Sequence, residues 1–138
     1  MPFPVLAMIK AVYTFMGQGR TEALAGSLLS LTQTLYSALV ALRNESTGNH
    51  FDIPTSCPNS PIVPLFTHRP RELALYCQNE SFNVRAIVAP TVTPGSERVR
   101  ICLHSGNTVA EVANFVSTLR SWAEKQSEDP HPIHKAQL

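Results

Sequence analysis

An uncharged run of twenty residues, from Ala23 to Leu42, is the feature that most limits how this chain can fold. As a helix, a run of this length could span a bilayer. Its leucines recur at steps of three or four residues, at Leu24, Leu28, Leu31, Leu35, Leu39 and Leu42, and its serines and threonines share another face. This segregation is typical of an amphipathic helix that packs on a protein core. We therefore predict a long helix from Thr21 to Arg43 that does not span a membrane.

The composition of the 138-residue chain agrees with a folded domain. Hydrophobic residues make up 43% of the sequence, which excludes an intrinsically disordered chain. The formal net charge is +1, so the chain lacks the basic excess that binds a nucleic-acid backbone. Charged residues make up only 15%, against a typical fraction of about 25%. The chain is therefore short of the surface charge that a free-standing monomer usually carries.

The residues that could hold a metal ion or a covalent intermediate form no recognisable site. The cysteines, Cys57, Cys77 and Cys102, are widely spaced and make no zinc-binding pattern with histidine. Their odd number argues against a secreted disulfide scaffold, and we predict a reducing, cytoplasmic location. A Schiff-base lysine needs a desolvated amine, whereas Lys10 lies in a periodic helix and is expected to be an ordinary surface residue.

Changes in hydrophobic pattern divide the chain into three predicted parts. Residues 1–58 contain a helix from Pro4 to Met16, the long helix, and most of an irregular, proline-rich connector that runs from Asn44 to Pro61. Residues 59–126 form a small α/β domain. Residues 127–138 are polar and are predicted to be a flexible tail.

Strands and helices alternate within residues 59–126. Strands are predicted over 62–66, 84–88 and 98–104, and helices over 70–79 and 108–126. Thr108 and Glu111 have the spacing of a capping box, and Pro94-Gly95 suits a type II turn. Together these elements predict an α+β fold in which a small antiparallel or mixed sheet, with helices on one of its faces, follows two long helices.

The last predicted strand is the most informative segment for function. Val99, Ile101 and Leu103 alternate with Arg98, Arg100, Cys102 and His104, so one side faces the core and the other presents a row of polar groups. An arginine held on a rigid strand suits two-pronged recognition of a carboxylate. The alternative is an ordinary solvated face. His104, at the strand end, either makes hydrogen bonds in the following loop or lines a pocket.

One stretch resembles a known family. It runs from Asn83 to Thr108 and reads NVRAIVAPTVTPGSERVRICLHSGNT. Its Pro-Thr-Val turn, glycine-containing link, Arg-x-Arg strand and helix beginning at Asn-Thr resemble the C-terminal signature of the α-oxoamine synthases. These pyridoxal-phosphate enzymes of the class II aminotransferase family include 8-amino-7-oxononanoate synthase and serine palmitoyltransferase. Residues 60–65 also resemble the strand that opens the family's small C-terminal domain, and the His-x-Gly-Asn-Thr ending resembles fungal secondary-metabolite members.

The resemblance implies that the sheet is short and mostly antiparallel and that the two long helices link it to a large domain. It also implies a function for the parent enzyme. Its members condense an amino acid with an acyl thioester, with loss of carbon dioxide, as fold-type I homodimers whose active sites lie at the interface. By position, Arg100 matches the arginine that binds the amino-acid carboxylate. Arg98 matches the first arginine of the strand, and with His104, Pro90 and Thr91 it is a candidate pocket-lining residue.

Two departures limit what can be transferred from the family. Val88 stands where the family often has arginine, and the lysine motif that carries pyridoxal phosphate has no counterpart before Lys10. We therefore expect a truncated synthase-like chain, inactive and without bound pyridoxal phosphate when alone. The alternative is a non-catalytic module that docks on an intact synthase subunit or on a second copy of itself, and a third interpretation is an unrelated small α+β binding domain.

Overall fold

Two long helices open the part of the chain that the computed structural model describes, which is residues 3–45 and 50–128. Helix α1 spans Phe3–Gly17 and helix α2 spans Glu22–Arg43. Both were expected from the sequence to within two residues. The predicted tail at 127–138 lies mostly outside the described residues, and the division at residue 58 stays a prediction.

A three-stranded antiparallel sheet forms the centre of the fold, in the spatial order β1-β3-β2. Strand β1 spans Ile62–Phe66, β2 spans Arg85–Ile87 and β3 spans Arg98–Cys102. Strand β3 therefore lies in the middle, paired with β1 from Ile62↔Cys102 to Phe66↔Arg98 and with β2 from Arg85↔Arg100 to Ile87↔Arg98. A central strand with neighbours on both sides is the most rigid place in such a sheet to hold a side chain.

Helices cover one face of this sheet. Helix α3 spans Pro70–Asn79, with Pro70 at its first turn, and α4 spans Val109–Glu128. The core between helices and sheet joins α2, α3, α4, β1 and β3, through side chains that are fully or almost fully buried: Leu35, Leu39, Leu42, Leu73, Leu119, Val63, Leu65 and Val99. The predicted α+β arrangement, with helices on one face of a small antiparallel sheet, is confirmed.

The leucine face of α2 is buried from Leu31 to the C-terminal end of the helix, but not at its start. Leu35, Leu39 and Leu42 are completely buried, whereas Leu24 is 51% exposed. By length and composition alone α2 could cross a membrane, but its C-terminal half packs inside this core. Helix α1 has no buried residue at all, so its apolar side chains are open to solvent.

The connector contributes more to the core than its irregular sequence indicates. Phe51 and Ile53 are each 5% exposed, and between them the backbone of Asp52 exchanges two hydrogen bonds of 2.8 Å with Phe66 of β1. The Tyr36 hydroxyl on α2 donates a hydrogen bond to the carbonyl oxygen of Pro54 over 3.0 Å. The connector is thereby tied to both α2 and the sheet edge.

The two local motifs expected before and after β3 are both present. Gly95 has φ +86°, which glycine adopts freely, and the Ser96 N–H donates to the Thr93 carbonyl oxygen over 3.0 Å, as in a type II turn. At the start of α4 the Glu111 N–H donates to Thr108 Oγ1 over 3.2 Å, and the Thr108 N–H donates to Glu111 Oε2 over 2.7 Å. This reciprocal pair confirms the capping box.

Candidate carboxylate-binding face of the sheet

The side of the sheet turned away from the helices is here called the outer face. Along β3, Val99 and Ile101 are buried at 1% and 4% exposure, so the intervening residues point outward. The outer face is formed by Ile62, Pro64 and Phe66 on β1, Arg98, Arg100 and Cys102 on β3, and Arg85 and Ile87 on β2. It is therefore a mixture of apolar and cationic groups, without an acidic residue in any of its strands.

Arg100 occupies the centre of the outer face. Its neighbours across the strands are Pro64 on β1 and Arg85 on β2. Side chains directly opposite in an antiparallel pair have Cβ atoms about 5 Å apart, so the two arginines begin side by side. Both are exposed to solvent. The arrangement presents two guanidinium groups from adjacent strands toward the same space.

Neither Arg100 nor Arg85 forms an ion pair with any of the described residues. Other arginines in the same part of the chain do form ion pairs: Arg43 with Asp52 at 3.2 Å, Arg69 with Glu72 at 2.6 Å and Arg120 with Glu45 at 2.9 Å. The outer-face pair therefore keeps its donors available for an external anion. A guanidinium fork matches the two oxygens of a carboxylate.

Arg98 is held differently from Arg100. Its Nε donates to the carbonyl oxygen of Ser96 over 3.1 Å, and its guanidinium lies 5.1 Å from the centroid of the Phe66 ring. It is also half-buried. These contacts fix Arg98 against the sheet at one end of the outer face, beside Arg100.

Pro90 and Thr91 lie in the link that leaves β2. Both are exposed, the Ala89–Pro90 peptide is cis, and the Thr91 N–H donates to the carbonyl oxygen of Val88 over 3.0 Å. Because the last residue of β2, Ile87, pairs with Arg98, this link departs from the Arg98 end of the outer face. The structure thus brings Pro90 and Thr91 to the same end of the sheet as Arg98.

His104 belongs to a different cavity. Strand β3 ends at Cys102, two residues earlier than predicted, and His104 lies in the turn that follows. The Nδ1 atom of its ring accepts a hydrogen bond from the backbone N–H of Gly106 over 3.2 Å. The backbone N–H of His104 donates to Asn107 Oδ1 over 2.9 Å. The histidine therefore makes the loop hydrogen bonds and also lines a cleft, the two roles that the sequence left open.

This cleft has a volume of about 430 Å³ and lies where β3 meets the start of α4. Its polar side includes His104, Asn107 and Glu111, and its apolar side includes Phe82 and Phe115. None of Arg98, Arg100, Pro90 and Thr91 lines it. The five residues that the sequence singled out thus fall into two groups, with His104 apart from the other four.

The carboxylate of Glu111 at the rim of this cleft is stabilised in its charged form. It accepts a hydrogen bond from the Thr108 backbone N–H and a second one from the Asn107 side chain. These hydrogen bonds lower the pKa of Glu111 below its usual value. The start of α4, which positions the His104 turn, is therefore fastened most firmly when this carboxylate is ionised.

Arg85 is a charged residue of the outer face that is not among the candidates from the sequence. It lies in the second predicted strand, and its outward direction follows from its pairing with Arg100. The sequence alone gives no register between the two strands, since a shift of one residue would turn Arg85 toward the core.

The described lysines do not fit the pyridoxal phosphate that the family resemblance implies. Lys10 is exposed on α1, beside an open hollow that Ala7 and Phe15 help to line. Lys125 on α4 donates to the Tyr76 hydroxyl over 3.1 Å, and its Nζ is 4.7 Å from the ring centroid. A lysine that bonds a cofactor needs a desolvated amine in a closed site, and neither environment provides one.

Comparison with known proteins gives clear relatives. No family model matches the chain. An 8-amino-7-oxononanoate synthase of Emericella nidulans is 40% identical over 126 residues, which cover 91% of this chain and 30% of that protein. Aminoacyl transferase sphA of Aspergillus fumigatus is 27% identical over 135 residues, covering 89% of this chain and 28% of that protein. The chain thus spans about 30% of the length of the curated relatives it matches.

These similarities extend over most of the chain and include fungal proteins, as the signature from Asn83 to Thr108 led us to expect. Over most of its length the chain is thus homologous to a portion of these curated proteins, one of which is an 8-amino-7-oxononanoate synthase and the other an aminoacyl transferase.

Proposed function

We propose that this chain provides the wall of an α-oxoamine synthase-type active site that binds the carboxylate of the amino-acid substrate, through Arg100. The parent reaction is the pyridoxal-phosphate-dependent condensation of an amino acid with an acyl thioester. In this proposal the cofactor is held by groups other than the described lysines, and the chain does not catalyse the reaction by itself. The observation that carries the proposal is an exposed arginine, at the centre of a rigid sheet, that has no acidic partner among residues 3–45 and 50–128.

The position of Arg100 suits recognition of a carboxylate better than a structural role. Strand β3 has hydrogen-bonded neighbours on both sides, so the Cα atom of Arg100 is fixed. Its guanidinium is exposed, and both prongs remain open to a planar anion. A charge-assisted contact of this kind contributes about 1.5–3 kcal/mol, which corresponds to a dissociation constant on the order of 10 mM in the absence of other contacts.

The proposal is tested by titrating the ¹⁵N-labelled full chain with glycine and following the arginine Nε–Hε signals by NMR. We expect a saturable shift of one arginine signal, assigned to Arg100 by its loss in the Arg100→Gln variant. Ethanolamine, which keeps the amine but lacks the carboxylate, is the ligand control and is expected to cause no such shift.

Arg71→Gln is the matched protein control for this titration. Arg71 is also exposed, but it lies on α3 and in none of the strands that form the outer face. We expect Arg71→Gln to bind glycine as the unmodified chain does and Arg100→Gln to lose binding. Equal binding by both variants would show that the carboxylate is recognised elsewhere and would refute the proposal.

The proposal also makes a claim about the cofactor. Because neither described lysine lies in a closed site, pyridoxal phosphate mixed with the chain should develop no stable absorption band that depends on a particular lysine. Comparing the unmodified chain with Lys10→Ala and Lys125→Ala by visible spectroscopy checks this. A band that disappears in one of these variants alone would contradict the claim.

A second candidate function is favoured by the open helix α1. No residue of α1 is buried, and it carries large exposed apolar side chains, among them Met8 at 69% and Tyr13 at 71% exposure. A surface of this kind marks an interaction site. In this alternative the chain is a non-catalytic module that docks through α1 on an intact synthase subunit or on a second copy of itself.

Sedimentation velocity of the purified chain, alone and with an intact synthase subunit, tests the docking function. Val12→Lys places a charge on α1, and Leu75→Lys places the same charge at a similarly exposed apolar site on α3, with 56% and 59% exposure respectively. Docking predicts a complex that Val12→Lys weakens and Leu75→Lys does not. A monomer that forms no complex would rule out docking.

A further inference from the structure

Arg85 and Arg100 are a like-charged pair directly opposite each other on adjacent strands. Like charges at such positions repel each other and destabilise the sheet. Acidic groups near the outer face make their contacts elsewhere: Glu97 accepts a hydrogen bond from the Gly95 N–H over 2.8 Å, and Asp52 pairs with Arg43. Among the described residues, no carboxylate therefore forms an ion pair with either guanidinium group.

We propose that Arg85 and Arg100 together bind one ligand that carries two negative charges a few ångströms apart. The inference rests on the proposed function: Arg100 takes the carboxylate of the amino acid, and Arg85 takes a second anionic group of the same substrate. Two sources supply this chemistry, a dicarboxylic amino acid and a phosphate group. In either case the substrate is more acidic than a neutral amino acid.

The surroundings of the pair limit where the second anionic group can lie. On the β1 side, Arg100 is flanked by Pro64, an apolar residue without a side-chain donor. Toward the start of β3, Arg98 is held against Phe66, and its Nε is engaged by the Ser96 carbonyl oxygen. The guanidinium directly across from Arg100, on the β2 side, is that of Arg85.

Parallel titrations of the full chain with different ligands test the inference. Glycine, L-aspartate and inorganic phosphate are added separately at low ionic strength, and the arginine Nε–Hε signals are followed by NMR. L-aspartate and phosphate each carry two negative charges. A second charge-assisted contact is expected to make one or both of them bind about tenfold more tightly than glycine. Arg85→Gln should reduce that preference to near onefold, while Arg71→Gln leaves it intact.

The results distinguish a dicarboxylic amino acid from a phosphorylated substrate, and they distinguish the role of Arg85 from the proposed function of Arg100. Tighter binding of aspartate indicates a dicarboxylic substrate, and tighter binding of phosphate indicates a phosphorylated one. If neither binds more tightly than glycine, or if the preference survives Arg85→Gln, the inference is wrong. Glycine binding that is lost in Arg100→Gln but unchanged in Arg85→Gln would still leave the proposed function standing. Failure of glycine to bind the unmodified chain would refute both.

Discussion

Truncating Leu39 to alanine should destabilise the chain far more than the same change at Leu24. Both leucines lie on α2, and the sequence places them on one helical face. Leu39 is completely buried in the core beneath the sheet, whereas Leu24 is 51% exposed. The difference in stability between the two variants therefore shows whether the C-terminal half of α2 is part of the core that supports the sheet and its outer face.

The expected magnitude follows from burial. Leu→Ala removes three carbon atoms, which at about 0.8 kcal/mol each amounts to about 2.4 kcal/mol of transfer free energy. A residual cavity of about 50 Å³ would add about 1.2 kcal/mol, for a total near 3.5 kcal/mol. At Leu24 the side chain is half exposed and leaves no closed cavity, so we expect a loss of less than about 1 kcal/mol.

Urea unfolding, followed by the fluorescence of Trp122, measures this difference. Trp122 is the one tryptophan of the chain and is 2% exposed, so it reports directly on the core. With an m-value of about 2 kcal/mol/M, Leu39→Ala should lower the midpoint by about 1.7 M. Equal losses of stability for Leu39→Ala and Leu24→Ala would refute the description of α2, because they would mean that both halves of the helix are equally packed.

Three further predictions follow from the cap of α4 and from the cysteines. Thr108→Ala removes the acceptor for the Glu111 N–H and should cost about 1 kcal/mol, or about 3 °C in Tm, with rescue by serine. The pKa of Glu111 is lowered in the folded chain, chiefly by the Thr108 N–H, so its stabilising effect should be fully present above the unfolded value near 4.5 and be lost as the pH falls through the lower folded value. Unfolding curves between pH 2.5 and 7 check this, since Glu111→Gln should flatten that part of the profile, and an unchanged profile would contradict it. Burial raises the pKa of the Cys77 thiol to about 12, so a thiol reagent at pH 8 should label exposed Cys102 quickly and Cys77 only after unfolding. Rapid labelling that persists in Cys102→Ser and maps to Cys77 would show that the core opens readily.

The elements that follow from local pattern could be predicted from the sequence. The alternation along β3 correctly separated buried Val99 and Ile101 from exposed Arg100, because successive side chains of a strand point to opposite faces. The capping box at Thr108 and the type II turn at Gly95 were also correct, since both depend on residues only a few positions apart.

Features that depend on tertiary contacts could not be predicted in the same way. Periodicity groups Leu24 with Leu39 but cannot tell which of them meets a packing partner. Phe51 and Ile53 were assigned to an irregular connector, because the hydrogen bonds that draw them into the core come from distant Phe66. The candidate site shows the same limit, since only the register of β2 against β3 places Arg85 opposite Arg100.

A crystal structure of the full chain with glycine, soaked at about ten times its dissociation constant, shows directly where the carboxylate binds. We expect both carboxylate oxygens of glycine on the outer face, within about 2.7–2.9 Å of guanidinium nitrogens of Arg100. This expectation would be contradicted if the carboxylate lay instead in the cleft beside His104, or if Arg100 were paired with an acidic group of the protein and made no contact with the ligand.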